Sequence, residues 1–114
     1  MSCLAKKIVL SGAVSGHEGE AEEYFKHARK IVEERFPLAQ VFNPTDLPKG
    51  LKQSQYMAVC MTRIRGWATT IVYIRNDYYE ASAGSRLERK WAQEKGLEEF
   101  VLRGYILSEL PKGG

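Results

Sequence analysis

Three short segments of this sequence carry residue types able to do chemistry. The sharpest is Ser82-Ala83-Gly84-Ser85-Arg86-Leu87-Glu88. A serine in the N-cap position leaves helix N–H groups free to meet an anion, and a glycine in the first turn lets a ligand approach the backbone. Glu88 lies one turn further on and shares a face with Ser85, where its carboxylate can reach a ligand whose phosphate rests on the helix start. The plainer alternative is a helix merely capped by Ser82, with Glu88 a solvated charge. The second segment, Ser11-Gly12-Ala13-Val14-Ser15-Gly16, offers backbone N–H groups of a glycine-containing turn to an anion or a sugar hydroxyl, or serves the turn alone. The third is Asn43-Pro44-Thr45-Asp46.

Other candidates are weaker. Tyr78 and Tyr79 lie in a polar loop and can stack on a base, whereas Trp67 and Trp91 read as core. Arg75 and Arg86 flank the same loop and suit a phosphate. His17 and His27, ten residues apart on or near one helix, share no metal-binding face and read as surface residues. Cys3 and Cys60 are the only cysteines, too few for a disulfide framework and without metal-ligand spacing. No metal or cofactor is expected.

The elements that would position these segments follow from periodicity. Lys6 to Ser11 reads as a short buried strand ending at Gly12. Ala21, Tyr24, Phe25, Ala28, Ile31 and Val32 line one face of a helix from about His17 to Arg35, with acidic residues crowding its start and basic ones following, as the helix dipole favours. Gln40 to Asn43 is a second strand, closed by Pro44. Tyr56, Val59, Cys60 and Ile64 mark a second helix that stops near Gly66. Ala68 to Ile74 is a β-prone run expected at the sheet centre. A third helix runs from Ser82 through Leu87, Trp91 and Ala92 to Gly96, and Phe100 to Leu102 forms a fourth strand. The tail from Gly104 onward looks too short for a unit of its own.

Strands separated by helices imply an α/β, Rossmann-like three-layer domain: a small parallel sheet of about four or five strands flanked by helices, with the cleft beyond the strands' carboxyl ends. All three chemical segments fall at such ends.

With 114 residues, the chain fits one domain, 1–114. Its 44% apolar and 27% charged residues are those of an ordinary globule. No run approaches the ~18 apolar residues of a spanning helix, and the apolar stretch after Lys6 and Lys7 is too short for a secretory signal. The net charge of +3, from 17 basic and 14 acidic side chains, contains no run of like charges that would bind a nucleic-acid polymer, yet suits a small anion. A cytoplasmic location is expected, with no membrane partner.

The chain resembles the nucleoside 2-deoxyribosyltransferase superfamily, and within it the compact DUF4406 branch found in bacteria and phages. The resemblance covers residues 6 to 102 and rests on Ser11-Gly12 and Ser15-Gly16, on Val41-Phe42-Asn43-Pro44, on Tyr56-Met57, and on Glu80 to Glu88. The Ser82, Gly84, Glu88 spacing is similar to that of deoxynucleotide N-glycosidases. The resemblance implies Glu88 as a nucleophile toward the anomeric carbon, as in a retaining glycosidase, and Ser82 as a ligand for the 5′ end. The implied ligand set is Ser11, Gly12, Ala13, Ser15, Gly16, Asn43, Asp77, Tyr79, Ser82, Gly84 and Ser85, around a nucleoside or nucleotide derivative, in a protein that self-associates.

Two departures stand out. Relatives carry an aspartate where this chain has Thr69-Thr70, and a tyrosine where it has Val9. A catalytic acid and a hydroxyl that would bond the nucleophile or the sugar are thus expected to be missing, unless Asp77, Glu80 or Asp46 supplies the acid from a loop. Two functions follow: cleavage or transfer of an N-glycosidic bond, or a binding protein that has lost turnover and sequesters a nucleotide-derived signal, such as a cyclic ADP-ribose relative.

Overall fold

The computed structural model describes residues 5–12, 18–75 and 83–111. The elements run β1 (Lys7–Ser11), α1 (Glu18–Arg35), β2 (Gln40–Phe42), a 3₁₀ turn (Pro44–Asp46), α2 (Gln53–Gly66), β3 (Thr70–Arg75), α3 (Ala83–Lys95), β4 (Glu98–Arg103) and β5 (Ile106–Leu110). They build a mixed α/β fold, a five-stranded sheet of order β2-β1-β3-β4-β5 flanked by three helices, in a Rossmann-like three-layer arrangement. The first four strands are parallel.

The order reverses direction at β1. The chain leaves β1 toward β2 on one side, then returns past it to β3 on the other. Right-handed crossovers therefore place α1 on one face of the sheet and α2 with α3 on the other. The packing follows suit. Ile8, Leu10, Val72, Ile74, Phe100 and Leu102 meet the α1 stripe of Ala21, Phe25, Ala28 and Val32. On the opposite face Val9, Ile71, Tyr73 and Val101 meet Ile64 of α2 and Ala92 of α3. Alternation along each strand decides which residues join which layer, so Ser11 shares the α2/α3 face with Val9 and Tyr73.

Turn chemistry sets the element ends. Lys52 N–H donates to Gln55 Oε1 at 2.9 Å across the start of α2. Gly96 closes α3 at φ 69°, while Leu97 N–H reaches back to Ala92 O, the reverse-wound helix end that glycine permits.

Two expectations need correction. The tail does form an element: β5 pairs antiparallel with β4 through a two-residue turn opened by Gly104 at φ 60°. A hairpin strand needs only such a turn and apolar side chains to anchor it, here Leu107 and Leu110, three residues apart and therefore packed on opposite layers. Of the apolar residues Leu87, Trp91 and Ala92 by which the sequence marked the third helix, Ala92 is buried but Leu87 is 44% exposed, because α3 turns Glu88 inward beside it. Trp67 and Trp91 are half-buried at the margin of the α2/α3 layer.

Candidate functional site

Ser11 ends β1 and sits in register with Tyr73 of β3, at the carboxyl edge of the two strands between which the sheet order reverses. In open α/β sheets this is where a crevice forms between diverging crossovers. Ser11 is fully buried, and its hydroxyl donates to Glu88 Oε1 at 2.6 Å. Glu88 comes from the second turn of α3 and is only 2% exposed, which overturns the reading of a solvated surface charge.

Its second oxygen, Oε2, is buried with no hydrogen-bond partner among the described residues. A buried carboxylate oxygen left unsatisfied costs on the order of 1–3 kcal/mol. Burial is accordingly the main influence on Glu88 and pushes its pKa up to about 7, against the opposing influence of the Ser11 hydroxyl and the Cys60 thiol. Near neutral pH the group therefore lies between its neutral and charged forms, a position suited to groups that gain or lose charge on meeting a ligand.

Cys60, fully buried on α2, and Tyr56, one turn before it, complete the group. Burial and then the Glu88 charge push both the Cys60 thiol and the Tyr56 phenol up, so each keeps its proton. Sequence reasoning took these two as members of an apolar stripe. Their i, i+4 spacing on the face turned toward α3 is the signal that could have marked them.

Gly12, next to Ser11, lies close to the α1 layer: a Cβ there would lie 3.2 Å from the Phe25 ring. Asn43 stands at the carboxyl end of β2, 5% exposed, where its Oδ1 accepts from Thr45 N–H at 2.9 Å and from the Thr45 hydroxyl at 2.7 Å. That oxygen serves the turn. Gly84 and Ser85 fall in the first turn of α3, with their side chains outside the described residues, as are Ala13, Ser15, Gly16, Asp77, Tyr79 and Ser82.

The structure also relocates the two departures. Thr70 is the first residue of β3, in register with Ile8 rather than Ser11, and it faces α1, not α2 and α3. An aspartate at this position would stand about 10 Å of strand away from the Ser11 level and on the other side of the sheet. Asp46 is no substitute either, since its Oδ2 accepts from Arg29 Nη1 of α1 at 2.9 Å. Val9 does lack a hydroxyl, but Ser11 supplies the one that bonds Glu88, so that interaction is not missing. His27 is half-buried on α1, bonded to Gly104 O at 2.9 Å and edge-on to Tyr105.

Among the described residues no group of three or more His, Cys, Asp or Glu is placed to hold a metal ion. No helix among them is long and apolar enough to cross a membrane.

Fold and site together define an open-sheet α/β protein with a buried carboxyl group at the reversal point of its sheet. The chain belongs to the family described as a domain of unknown function, DUF4406, whose model matches residues 6–100. No curated protein matches it.

Proposed function

We propose that this protein binds a nucleoside or nucleotide derivative at the carboxyl ends of β1 and β3 and cleaves or transfers its N-glycosidic bond, with Glu88 as nucleophile. One observation carries the reading: the Glu88 carboxyl is buried beside the carboxyl end of β1, with Oε1 fixed by Ser11 and Oε2 without a partner among the described residues. An oxygen so held has its lone pairs available to an anomeric carbon or a sugar hydroxyl. In a retaining mechanism that oxygen bonds the anomeric carbon as the bond to the base breaks, and the base leaves with the electron pair and takes up a proton. Positive charge developing on the sugar favours the ionised carboxylate in the otherwise apolar surroundings. The resemblance to the nucleoside 2-deoxyribosyltransferase superfamily, through the Ser82, Gly84, Glu88 spacing, supports the same assignment and a 5′ end held at the start of α3.

A second reading, binding without turnover, is favoured by the positions of Thr70 and Asp46. Neither provides an acid beside Glu88 to protonate the departing base. On this reading Glu88 accepts hydrogen bonds from the sugar, and the protein sequesters a nucleotide-derived signal.

The test is incubation of the full chain with a panel of nucleosides, nucleotides and cyclic nucleotide derivatives, followed by chromatography. Free base that disappears in a folded Glu88→Gln variant, with binding retained, supports the enzyme. Tight binding by the wild type, with intact ligand recovered after denaturation, establishes sequestration. Self-association, which would close a shallow crevice with a neighbour, is tested by light scattering at micromolar concentration.

A further inference from the structure

The two edges of the sheet, β2 and β5, are not alike. β2 has three residues, is followed by Pro44, and its Phe42 ring lies under the Arg63 guanidinium at 5.1 Å. A short strand, a nearby proline and a covering charged side chain are ways in which natural edges are shielded from further pairing. β5 is longer, with five residues, and among the described residues no turn, loop or helix backbone group bonds it. Ile106 at its start is 70% exposed, and Tyr105 just before it 82%.

Turn geometry decides which backbone groups of β5 point outward. A two-residue turn closes on a hydrogen-bonded pair, here Arg103 with Ile106, and the pairs then alternate along the ladder. Ile106, Ser108 and Leu110 therefore turn their N–H and C=O groups toward β4, while Leu107 and Glu109 turn theirs away from the sheet. The spacing of these two open residues is symmetric about Ser108.

We propose that β5 pairs antiparallel with β5 of a second copy of the chain, across a two-fold axis at Ser108, so that the two sheets join into one. Leu107 then exchanges both backbone hydrogen bonds with the partner's Glu109, and Glu109 does the same with the partner's Leu107. Leu110 packs on the α2/α3 side, and Ile106 shares that side by alternation, so each Ile106 meets the partner's Leu110 there. Tyr105 comes opposite the partner's Pro111, where the ladder ends because proline has no N–H. Other registers fit less well. A slip of one residue sets outward groups against inward ones. Centring the pair on Glu109 opposes two like charges, and centring it on Leu107 runs Glu109 into the turn at Tyr105. The pairing is independent of the reading of Glu88.

The experiment is analytical ultracentrifugation of the full chain from about 10 μM to about 1 mM, a range suited to the small contact of a single strand pair. The wild type should pass from monomer to dimer across it. Glu109→Pro deletes an outward N–H and leaves the bonds to β4 in place, so it should weaken dimerisation roughly tenfold or more. Glu109→Ala keeps that N–H and should still dimerise. Oxidation in a Cys3→Ser background reads the register. Ser108→Cys should form a disulfide-linked dimer, since Cβ atoms in such a pair lie about 4.5 Å apart and need little movement to bond. Glu109→Cys, set opposite the partner's Leu107, should cross-link far more slowly. A wild type that stays monomeric at about 1 mM, a folded Glu109→Pro that dimerises unchanged, or equal cross-linking of Glu109→Cys and Ser108→Cys overturns the proposal. Should Glu109→Pro not fold, the contrast between the two cysteine variants decides by itself.

Discussion

The Thr70 hydroxyl donates to Glu98 Oε1 at 3.1 Å, on the α1 face of the sheet and at the end away from Ser11. Lys6 reaches the same carboxylate oxygen, so this corner of the fold is a closed polar cluster of its own. Thr70→Asp therefore places a second carboxylate against Glu98 in a fully buried position. The expected result is a loss of about 2 kcal/mol in urea denaturation at pH 7, partly recovered in acid as the introduced group is protonated. No gain in base release should accompany it. A gain would show that position 70 communicates with Glu88 despite lying on the opposite layer.

Ser11→Ala removes the donor to Glu88 Oε1 and leaves a buried carboxyl with neither oxygen held from β1. A hydrogen bond to a charged group matters most when the charge is present. The cost should therefore be about 2 kcal/mol at pH 8 and clearly smaller at pH 5, where Glu88 is neutral. The Glu88 titration should move above its usual midpoint near 7, because one of the two groups that oppose burial is gone. Equal penalties at both pH values would mean that the serine serves packing alone.

Gly12→Ala probes why a glycine follows Ser11. The added Cβ would meet Phe25 Cε1 and Cζ at 3.2 Å and Ile74 Cβ at 3.5 Å, so the ring must give by a few tenths of an ångström. Phe25 belongs to the central α1 stripe and has little room to move. Thermal melting should show a loss of about 1 kcal/mol, with more for Gly12→Val as further atoms enter the same space. A neutral Gly12→Ala would point to a role for the glycine outside this contact.

What the sequence made legible was whatever depends on local period and turn chemistry. The α1 stripe from Ala21 to Val32, the buried run of β3 and the stop at Gly96 were all readable, since each rests on spacing or on a backbone angle only glycine takes easily. The inward aim of Glu88 was not. On α3 the carboxylate lies between Leu87 and Arg89, and only the packing against β1 and α2 decides that Glu88 turns in while Leu87 turns out. Cys60 and Tyr56 escaped for a related reason: a cysteine and a tyrosine fit an apolar stripe, and Glu88, whose charge acts on both, is supplied by another helix. Thr70 looked like the seat of a lost acid because strand register and facing, which set it apart from Glu88, are properties of the assembled sheet.

The pH dependence of stability should carry the signature of Glu88. In the folded chain its pKa is pushed up to about 7, whereas an unfolded glutamate titrates near the ordinary value of about 4.3. Between these values the folded state binds the additional proton, so stability falls as pH rises through this window. Below the unfolded pKa the contribution is fully present, and above about 7 it is lost. The size follows from the difference between the two values and is on the order of 3 kcal/mol. Glu88→Gln keeps the shape of the side chain and stays neutral, so its stability should be flat across the window where the wild type declines, and it should exceed the wild type's at pH 8. A ligand that supplies a donor or developing positive charge to the ionised carboxyl reverses the sense. Binding to such a ligand should strengthen as pH rises through 7 in the wild type and show no such rise in Glu88→Gln. Paired urea titrations of the two proteins at pH 5 and pH 8 decide the first point: parallel declines in both would assign the pH dependence to groups other than Glu88.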